Sequence, residues 1–306
     1  MPAIVVDNIV MKYRVKKAVV DALKGISFSV DKGEIFGIIG PDGAGKTSLF
    51  RILTTLLLAE SGNASVDGFD VVKDYKEIRN RVGYMPGKFS LYQDLSIEEN
   101  LQFFATIFNT TIEENYALIK DIYVQIEPFK KRRAGQLSGG MKQKLALCCA
   151  LIHKPSVLFL DEPTTGVDAV SRKEFWEMLH RLKLQGITIL VSTPYMDEAG
   201  LCDRVALIQK GLILSINTPQ GITAEFKKPL WAVKASEMFR LLNAIKDDDS
   251  VESCYPFGQN HHVVFKDAAN GKEKIEEIAK KGNFTGLEIN SIEPNIEDCF
   301  MALMQE

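Results

Sequence analysis

A glycine-rich segment in the first fifty residues has the spacing Gly-x-x-x-x-Gly-Lys-Thr, from Gly40 to Thr47. Glycines let consecutive backbone N–H groups curl around a phosphate, and a helix that starts directly after them adds the positive end of its dipole. Lys46 supplies a point charge for the terminal phosphates, and the Thr47 hydroxyl suits Mg²⁺. The segment therefore predicts a site for Mg-ATP. The expected nucleotide contacts are Gly40, Pro41, Asp42, Gly43, Ala44, Gly45, Lys46, Thr47 and Ser48.

Two acidic residues, Asp161 and Glu162, follow the apolar run 157–160. That run reads as a buried strand, and ligands bind at the carboxyl ends of strands in open α/β sheets. We expect Asp161 to hold Mg²⁺ together with Thr47. We expect Glu162 to act as the general base on the attacking water.

A third segment, Ser138, Gly139, Gly140 and Met141, opens an apolar-faced helix. A hydroxyl and bare amides at a helix start form a second anion site. One nucleotide does not need two such sites within one chain. This pattern indicates a dimer in which the Ser-Gly-Gly of one chain covers the terminal phosphate held by the other.

The elements that must position these residues form an α/β pattern. Continuous apolar runs at 35–39, 157–160 and 187–191 predict parallel strands covered on both faces. Strand patterns give way to helical ones at about 96–153, which predicts an inserted helical subdomain. The composition changes after residue 220. We therefore expect one domain over 1–220 and a small α+β domain over 221–306, which closes with a helix at 296–304.

The overall composition excludes several classes of protein. The net charge of −3 offers no basic field for nucleic acid. The five cysteines show no metal spacing, and we interpret them as buried or idle thiols in a reducing compartment. The N-terminus lacks the pattern of a signal peptide, and no apolar stretch is long enough to span a membrane. We expect a soluble chain that reaches a membrane only by attachment to another protein.

Taken in order, these motifs resemble the nucleotide-binding domains of ABC transporters over residues 3–218. The match comprises the loop 40–47, the strand 82–86, the signature 137–141, the acidic pair 161–162 and the D-loop 166–168. The resemblance implies a P-loop NTPase core of the ABC type. It also implies that Tyr13 stacks on adenine and that Asp168 contributes to the nucleotide site. The segment 293–300 is similar to the closing motif of the small C-terminal domain in drug- and antibiotic-export ATPases.

Two positions depart from the family pattern. Gly87 stands where the family has a glutamine that reaches Mg²⁺ and water, and Pro194 stands where it has a histidine that contacts the γ-phosphate. Loss of one preorganised polar contact costs on the order of 10²–10³ in rate. We expect nucleotide binding to survive, and hydrolysis at this chain's own site to be weakened.

These features predict the energy-coupling ATPase subunit of an ABC exporter, on the cytoplasmic face of a membrane. Its partners would be a separate integral-membrane permease and a second nucleotide-binding domain in a homodimer or heterodimer. The segment 88–92 lies where the family contacts the permease; burial of its aromatic residues in the helical subdomain is the alternative. The missing glutamine and histidine suggest the degenerate member of an asymmetric pair, although a slow working homodimer is an alternative. A soluble ABC protein that acts as an ATP-gated binding or regulatory module is the competing class.

Overall fold

The structure is a computed structural model that describes residues 1–15, 18–267 and 270–304. The chain divides into two compact units, Met1–Pro219 and Gln220–Glu306. The first unit contains β1 (Ile4–Val15), β2 (Ala18–Val30), β3 (Ile35–Ile39), α1 (Lys46–Leu53), β4 (Ser61–Val66), β5 (Phe69–Asp70), α2 (Tyr75–Arg81), β6 (Val82–Met85), α3 (Ile97–Ile107), α4 (Ile112–Tyr123), α5 (Gly139–Leu151), β7 (Val157–Asp161), α6 (Ala169–Leu184), β8 (Thr188–Thr193), β9 (Arg204–Gln209) and β10 (Leu212–Asn217).

The main sheet of this unit has the strand order β10-β9-β3-β8-β7-β6 among the described residues. The pairs from β9 to β6 are parallel, and β10 runs antiparallel to β9 at the edge. Every residue of β3, β7 and β8 is buried, because helices cover both faces of a parallel sheet. The carboxyl ends of β3, β7 and β8 therefore lie side by side.

A second, antiparallel sheet has the order β2-β1-β4-β5. Its long β1–β2 hairpin contributes to the same hydrophobic core as α1, with Leu23 and Leu49 both fully buried. This packing brings the hairpin against the start of α1. The hairpin thereby supplies a wall to the loop that precedes that helix.

The region between β6 and β7 is helical, comprising α3, α4 and α5. Capping boxes fix the starts of the first two helices: Ser96 with Glu99 begins α3, and Thr111 with Glu114 begins α4. No strand interrupts the described residues from α3 to α5. This agrees with the fading of strand patterns between residues 96 and 153.

The second unit contains α7 (Pro219–Glu225), which starts at the boundary, β11 (Leu230–Lys234), α8 (Met238–Lys246), β12 (Val251–Phe257), β13 (Asn260–Phe265), α9 (Gly271–Lys281), β14 (Glu288–Ile292) and α10 (Ile296–Leu303). Its antiparallel sheet has the order β12-β13-β11-β14. The apolar faces of α8 and α9 pack on one side of it, through Leu241, Ile245 and Ile275. The sequence pattern did not predict β12.

Within the described part of the chain, no helix is long and apolar enough to cross a membrane. All five cysteines are free and buried, which confirms their interpretation as buried thiols. Burial raises the pKa of the Cys254 thiol to about 12 and that of Cys299 to about 11. These two thiols stay protonated at neutral pH and carry no nucleophilic chemistry.

Candidate functional site

The glycine loop connects β3 to α1, as its sequence predicts. Gly45 has φ 109° at the N-cap of α1, a backbone conformation that favours glycine. Gly40 is needed for a different reason, because a Cβ there would lie 2.1 Å from the Ile208 carbonyl oxygen. The loop therefore runs too close to β9 for any side chain at its first position.

The Lys46 side chain is buried, with 3% exposure, at the first position of α1. Its Nζ donates to the carbonyl oxygens of Gly40 at 2.8 Å and Pro41 at 3.1 Å. Its charge is paired with Glu162, whose Oε1 lies 3.1 Å from Nζ. A buried ammonium group needs such partners, because leaving it unpaired away from water is costly. The ammonium group of Lys46 is thus held by two carbonyl oxygens of its own loop and by the Glu162 carboxylate.

A cavity of about 250 Å³ opens at this loop. Tyr13 and Ser48 stand on its wall, with their hydroxyl oxygens 3.0 Å apart. The cavity is lined by Tyr13, Val20, Asp21, Ala22, Gly43, Gly45, Lys46, Thr47, Ser48 and Glu162. The structure therefore brings the predicted aromatic, the loop and the predicted base to one concavity. Stacking of adenine on Tyr13 stays a prediction.

Other predicted contacts in the loop lie off the cavity wall. Gly40 and Pro41 are connected to the site by their carbonyl oxygens, which accept hydrogen bonds from the Lys46 ammonium group. Asp42 is exposed, and Ala44 is buried with its carbonyl oxygen accepting from the Gly211 N–H at 3.0 Å. Their direct contact with a nucleotide stays a prediction.

The acidic pair lies at the end of β7. Asp161 is buried, with 2% exposure, and its Oδ1 accepts a hydrogen bond from the Ser192 hydroxyl at 2.6 Å. Glu162 has φ 51°, a left-handed conformation uncommon for a residue with a side chain. Its backbone N–H donates to the Ser192 carbonyl oxygen at 3.0 Å. This unusual turn sends the Glu162 carboxylate to Lys46, while Asp161 stays at the strand end.

Gly87, which departs from the family pattern, lies beside the acidic pair. A Cβ at that position would be 3.0 Å from the Asp161 carbonyl oxygen and 3.7 Å from the Glu162 Cβ. Pro194 follows β8 directly, and the Thr193 carbonyl oxygen before it accepts from the Gly40 N–H at 3.3 Å. Gly87 therefore borders the residues predicted to hold metal and water, and Pro194 follows a strand end that is bonded to the glycine loop. Neither position offers a polar side chain.

The signature residues lie at the start of α5, which Ser138 caps with its side chain 3.4 Å from the Met141 N–H. Ser138 and Gly139 are exposed, and Gly140 and Met141 are half-buried. None of these four is among the described residues that line the cavity at the loop. Within one chain, the two predicted anion sites are separate.

Asp168 caps α6 by accepting from the N–H groups of Val170 at 3.1 Å and Ser171 at 3.0 Å. The hydrogen bonds from Ser171, the strongest influence, lower the pKa of this carboxyl. Asp168 does not line the cavity of its own chain. Its contribution to a nucleotide site stays a prediction.

Sequence reasoning missed Ser192 and the hairpin residues of the cavity wall. Val20, Asp21 and Ala22 line the cavity because the β1–β2 hairpin packs on α1. Ser192 could have been found as the first hydroxyl after the apolar run 187–191, one strand away from the acidic pair. The hairpin residues carry no comparable signal.

A glycine loop between a parallel strand and a helix, a buried lysine and two acids on a neighbouring strand define a P-loop nucleoside-triphosphate-binding protein. The comparisons with known proteins narrow this class. A family model described as "ABC transporter" matches residues 23–165. The ATP-binding protein NatA of Bacillus subtilis is 39% identical over 207 residues, which cover 66% of this chain and 84% of NatA.

A second relative, "Probable multidrug ABC transporter ATP-binding protein YbhF" of Escherichia coli, is 37% identical over 288 residues. This match covers 92% of the chain but 49% of YbhF, so the chain spans about half the length of that relative. Among solved structures, cbiO1 from Clostridium perfringens matches with 27% identity and a TM-score of 0.63, over 73% of this chain and 91% of that one.

The chain belongs to the ATP-binding cassette family of ABC transporters. The P-loop NTPase fold with a mixed α/β core is confirmed, and so is the resemblance drawn from the motifs. The chain's relatives are named as ATP-binding proteins of ABC transporters. The chain is therefore an ATP-binding cassette.

Proposed function

We propose that this chain is the Mg-ATP-binding, energy-coupling subunit of an exporter, held at the cytoplasmic face of a membrane by a separate permease. The observation that carries the proposal is the single cavity that holds the glycine loop, Lys46, Thr47 and Glu162. A buried lysine and a helix start suit a triphosphate. The oxygens of Thr47 and Asp161 fit Mg²⁺, which would neutralise charge on the phosphates when bound. Export is supported by the closing segment 293–300 and by the name of a Burkholderia lata relative, "Nod factor export ATP-binding protein I", which is 38% identical over 203 residues.

We propose further that hydrolysis at this cavity is weak. Phosphoryl transfer relies on groups that position water and stabilise charge. Glu162 is present, but Gly87 and Pro194, which stand where the family pattern has polar residues, contribute no side-chain donor or acceptor. Loss of even one such group costs on the order of 10²–10³ in rate, or about 3–4 kcal/mol. Binding relies on the loop and Lys46, so it is retained.

The signature then acts on a partner cassette. Ser138 and Gly139 lie exposed at the start of a 13-residue helix, away from their own chain's cavity. Anions are attracted to such a helix start. In a pair of cassettes, this surface would complete the ATP site of the other member. This chain would therefore contribute to ATP hydrolysis at the partner's site even where its own site hydrolyses ATP slowly.

The permease would dock beside the segment 88–92. That segment adjoins an apolar groove of about 480 Å³ whose wall includes Leu91, Phe104 and Phe108. Tyr92 is 50% exposed and packs edge-on against the ring of Phe103, at 4.7 Å between centroids. Exposed aromatics next to a groove mark an interaction site. A cytoplasmic segment of the permease with apolar side chains fits this surface.

The test is steady-state ATPase and nucleotide binding by the purified chain. We expect calorimetry to show Mg-ATP binding that Lys46→Ala abolishes, together with turnover no faster than that of Glu162→Gln. Robust turnover that Glu162→Gln removes would contradict the weak site. Co-purification of an integral-membrane protein supports the exporter, whereas purification from the soluble fraction alone would favour an ATP-gated soluble module.

A further inference from the structure

One hydroxyl group contacts both acids of the nucleotide site. Ser192 is fully buried on β8, in register with Asp161 on the neighbouring strand β7. Its Oγ donates to Asp161 Oδ1 at 2.6 Å and accepts from the Glu162 N–H at 3.1 Å. Ser192 thus bonds to the side chain of one acid and the backbone of the next.

The direction of each hydrogen bond follows from chemistry. A serine hydroxyl has one proton and two lone pairs. The Glu162 N–H is a donor only, so the Ser192 proton is directed to the Asp161 carboxylate. Hydrogen bonds to a charged acceptor are shorter and stronger than neutral ones. The 2.6 Å distance is typical of that class.

The contact with Asp161 fixes the orientation of the carboxylate. A carboxylate has two oxygens, so a bond that holds Oδ1 leaves Oδ2 for a metal ion. Groups that hydrogen-bond to metal ligands set their orientation, and their loss costs about 10–100-fold in metal affinity. The hydroxyl of Thr193, the next residue, accepts from the Tyr195 N–H at 3.1 Å, and the hydrogen bond to Asp161 comes from Ser192. Ser192 is therefore the residue of β8 that orients the Asp161 carboxylate, the predicted metal ligand.

The contact with Glu162 supports a backbone that is otherwise disfavoured. At φ 51°, Glu162 occupies the left-handed region, which a surrounding structure must enforce. Its N–H is held by two acceptors of one residue, the Ser192 carbonyl oxygen at 3.0 Å and the Ser192 hydroxyl at 3.1 Å. This turn determines where the Glu162 carboxylate points.

We propose that Ser192 is a positioning residue that sets the metal-binding carboxylate of Asp161 and the base Glu162 in one arrangement. The inference rests on the proposed Mg-ATP site and adds the group that orients its two acids. Ser192 would act through these two acids and not by direct contact with nucleotide or metal. Its loss should therefore weaken the effect of Mg²⁺ on nucleotide binding while leaving metal-free binding to the loop intact.

The experiment measures binding of a non-hydrolysable ATP analogue to the full chain by calorimetry, with EDTA and with Mg²⁺. The Mg²⁺ enhancement is the ratio of the affinity measured with Mg²⁺ to the affinity measured with EDTA. We expect Ser192→Ala to leave the affinity in EDTA unchanged and to lower this Mg²⁺ enhancement about tenfold. Ser192→Thr retains the hydroxyl and should keep most of the enhancement. An unchanged enhancement in Ser192→Ala would overturn the proposal.

A matched control lies at the other end of the same strand. Thr188 is also buried, and its hydroxyl accepts from the Gly33 N–H at 3.0 Å, remote from the acids. Thr188→Val should lower the melting temperature without changing the Mg²⁺ enhancement. Equal losses of enhancement in Thr188→Val and Ser192→Ala would reduce Ser192 to a structural role and overturn the proposal.

Two further outcomes keep this inference separate from the proposed function. A wild-type chain that binds no analogue contradicts the nucleotide site itself. A wild-type chain that shows the enhancement, with Ser192→Ala unaffected, contradicts the positioning role alone. Should Ser192→Ala fail to fold, Ser192→Cys tests the same point, because a thiol is a weak donor. Its enhancement should fall below that of Ser192→Thr, and an equal value overturns the proposal.

Discussion

The Lys46 ammonium nitrogen lies 3.1 Å from the Glu162 Oε1, so the predicted phosphate ligand and the predicted base form an ion pair. The lysine is buried, whereas the glutamate is 22% exposed. A nucleotide phosphate would compete with this carboxylate for the same cation. The pair thus connects the affinity for nucleotide with the position of the base.

Glu162→Gln should tighten binding of a non-hydrolysable ATP analogue by about fivefold. The substitution removes an ion pair worth about 1 kcal/mol and a negative charge beside the phosphate site. Calorimetric titration of the two proteins measures the change. The control Glu77→Gln removes a carboxylate that lies 3.9 Å from Arg81 on α2, and it should bind like the wild type. Equal or weaker binding by Glu162→Gln would show that the pair does not compete with nucleotide.

Restoring the two family residues should increase ATP hydrolysis. The double variant Gly87→Gln with Pro194→His returns one polar group beside Asp161 and Glu162 and another at the end of β8, and we expect turnover to rise about 10²-fold. Gly87→Gln alone should give less, because its Cβ would meet the Asp161 carbonyl oxygen at 3.0 Å and the strand end must move slightly. Steady-state phosphate release measures the gain. The same two changes made together with Glu162→Gln should give no gain, and a gain there would point to another source of turnover.

Asp298→Ala should destabilise the second unit by about 3 kcal/mol. The buried Asp298 carboxylate accepts from the Tyr255 hydroxyl at 2.5 Å, lies 2.6 Å from the His262 Nδ1, and accepts from the Asn295 N–H at 2.8 Å. Alanine would leave these groups without an acceptor in the interior. Asp298→Asn keeps one side-chain oxygen and should cost less.

The two tryptophans allow that measurement, since Trp176 lies on α6 and Trp231 on β11. In a Trp176→Phe background, fluorescence during urea unfolding reports the second unit through Trp231. Asp249→Ala, at an exposed position of the same unit, is the control and should change little. A loss in Asp298→Ala no larger than in this control would refute the role of the buried carboxylate.

The first unit should become less stable as the pH falls below about 6.5, because that is the pKa of the His153 side chain in the unfolded chain. Burial lowers the pKa of His153 in the folded chain, where the ring stacks on Phe108 at 3.8 Å and its Nε2 lies 3.1 Å from the Val82 carbonyl oxygen. The unfolded chain therefore takes up the proton first as the pH falls, and this contribution is fully present only above the unfolded pKa. Urea unfolding followed through Trp176 in a Trp231→Phe background measures the effect.

The matched variant for this prediction is His153→Gln, which keeps a side-chain donor for the Val82 carbonyl oxygen and does not titrate. It should be somewhat less stable at pH 7.5, and its stability should fall less between pH 7 and pH 5 than that of the wild type. Parallel pH profiles for the two proteins would show that His153 titrates normally in the folded state.

Much of the fold was accessible from the sequence because its signals are local. The glycine spacing from Gly40 to Thr47 and the apolar runs 35–39 and 157–160 predicted the loop and its flanking strands. Strand β12 was missed because Pro256 lies within its run: proline argues against a central strand, and β12 is at the edge of its sheet.

The sequence by itself determined the chemistry of the loop and the acids, because residue types at fixed short spacing specify donors, charge and backbone freedom. Only the tertiary structure decided which distant groups meet. Strand β8 lies between β3 and β7 although it follows both in the chain, and this order places Ser192 against Asp161. The same order brings Glu162 to Lys46, 116 positions earlier in the chain. Strand order depends on packing across the whole sheet, so no local pattern encodes these contacts.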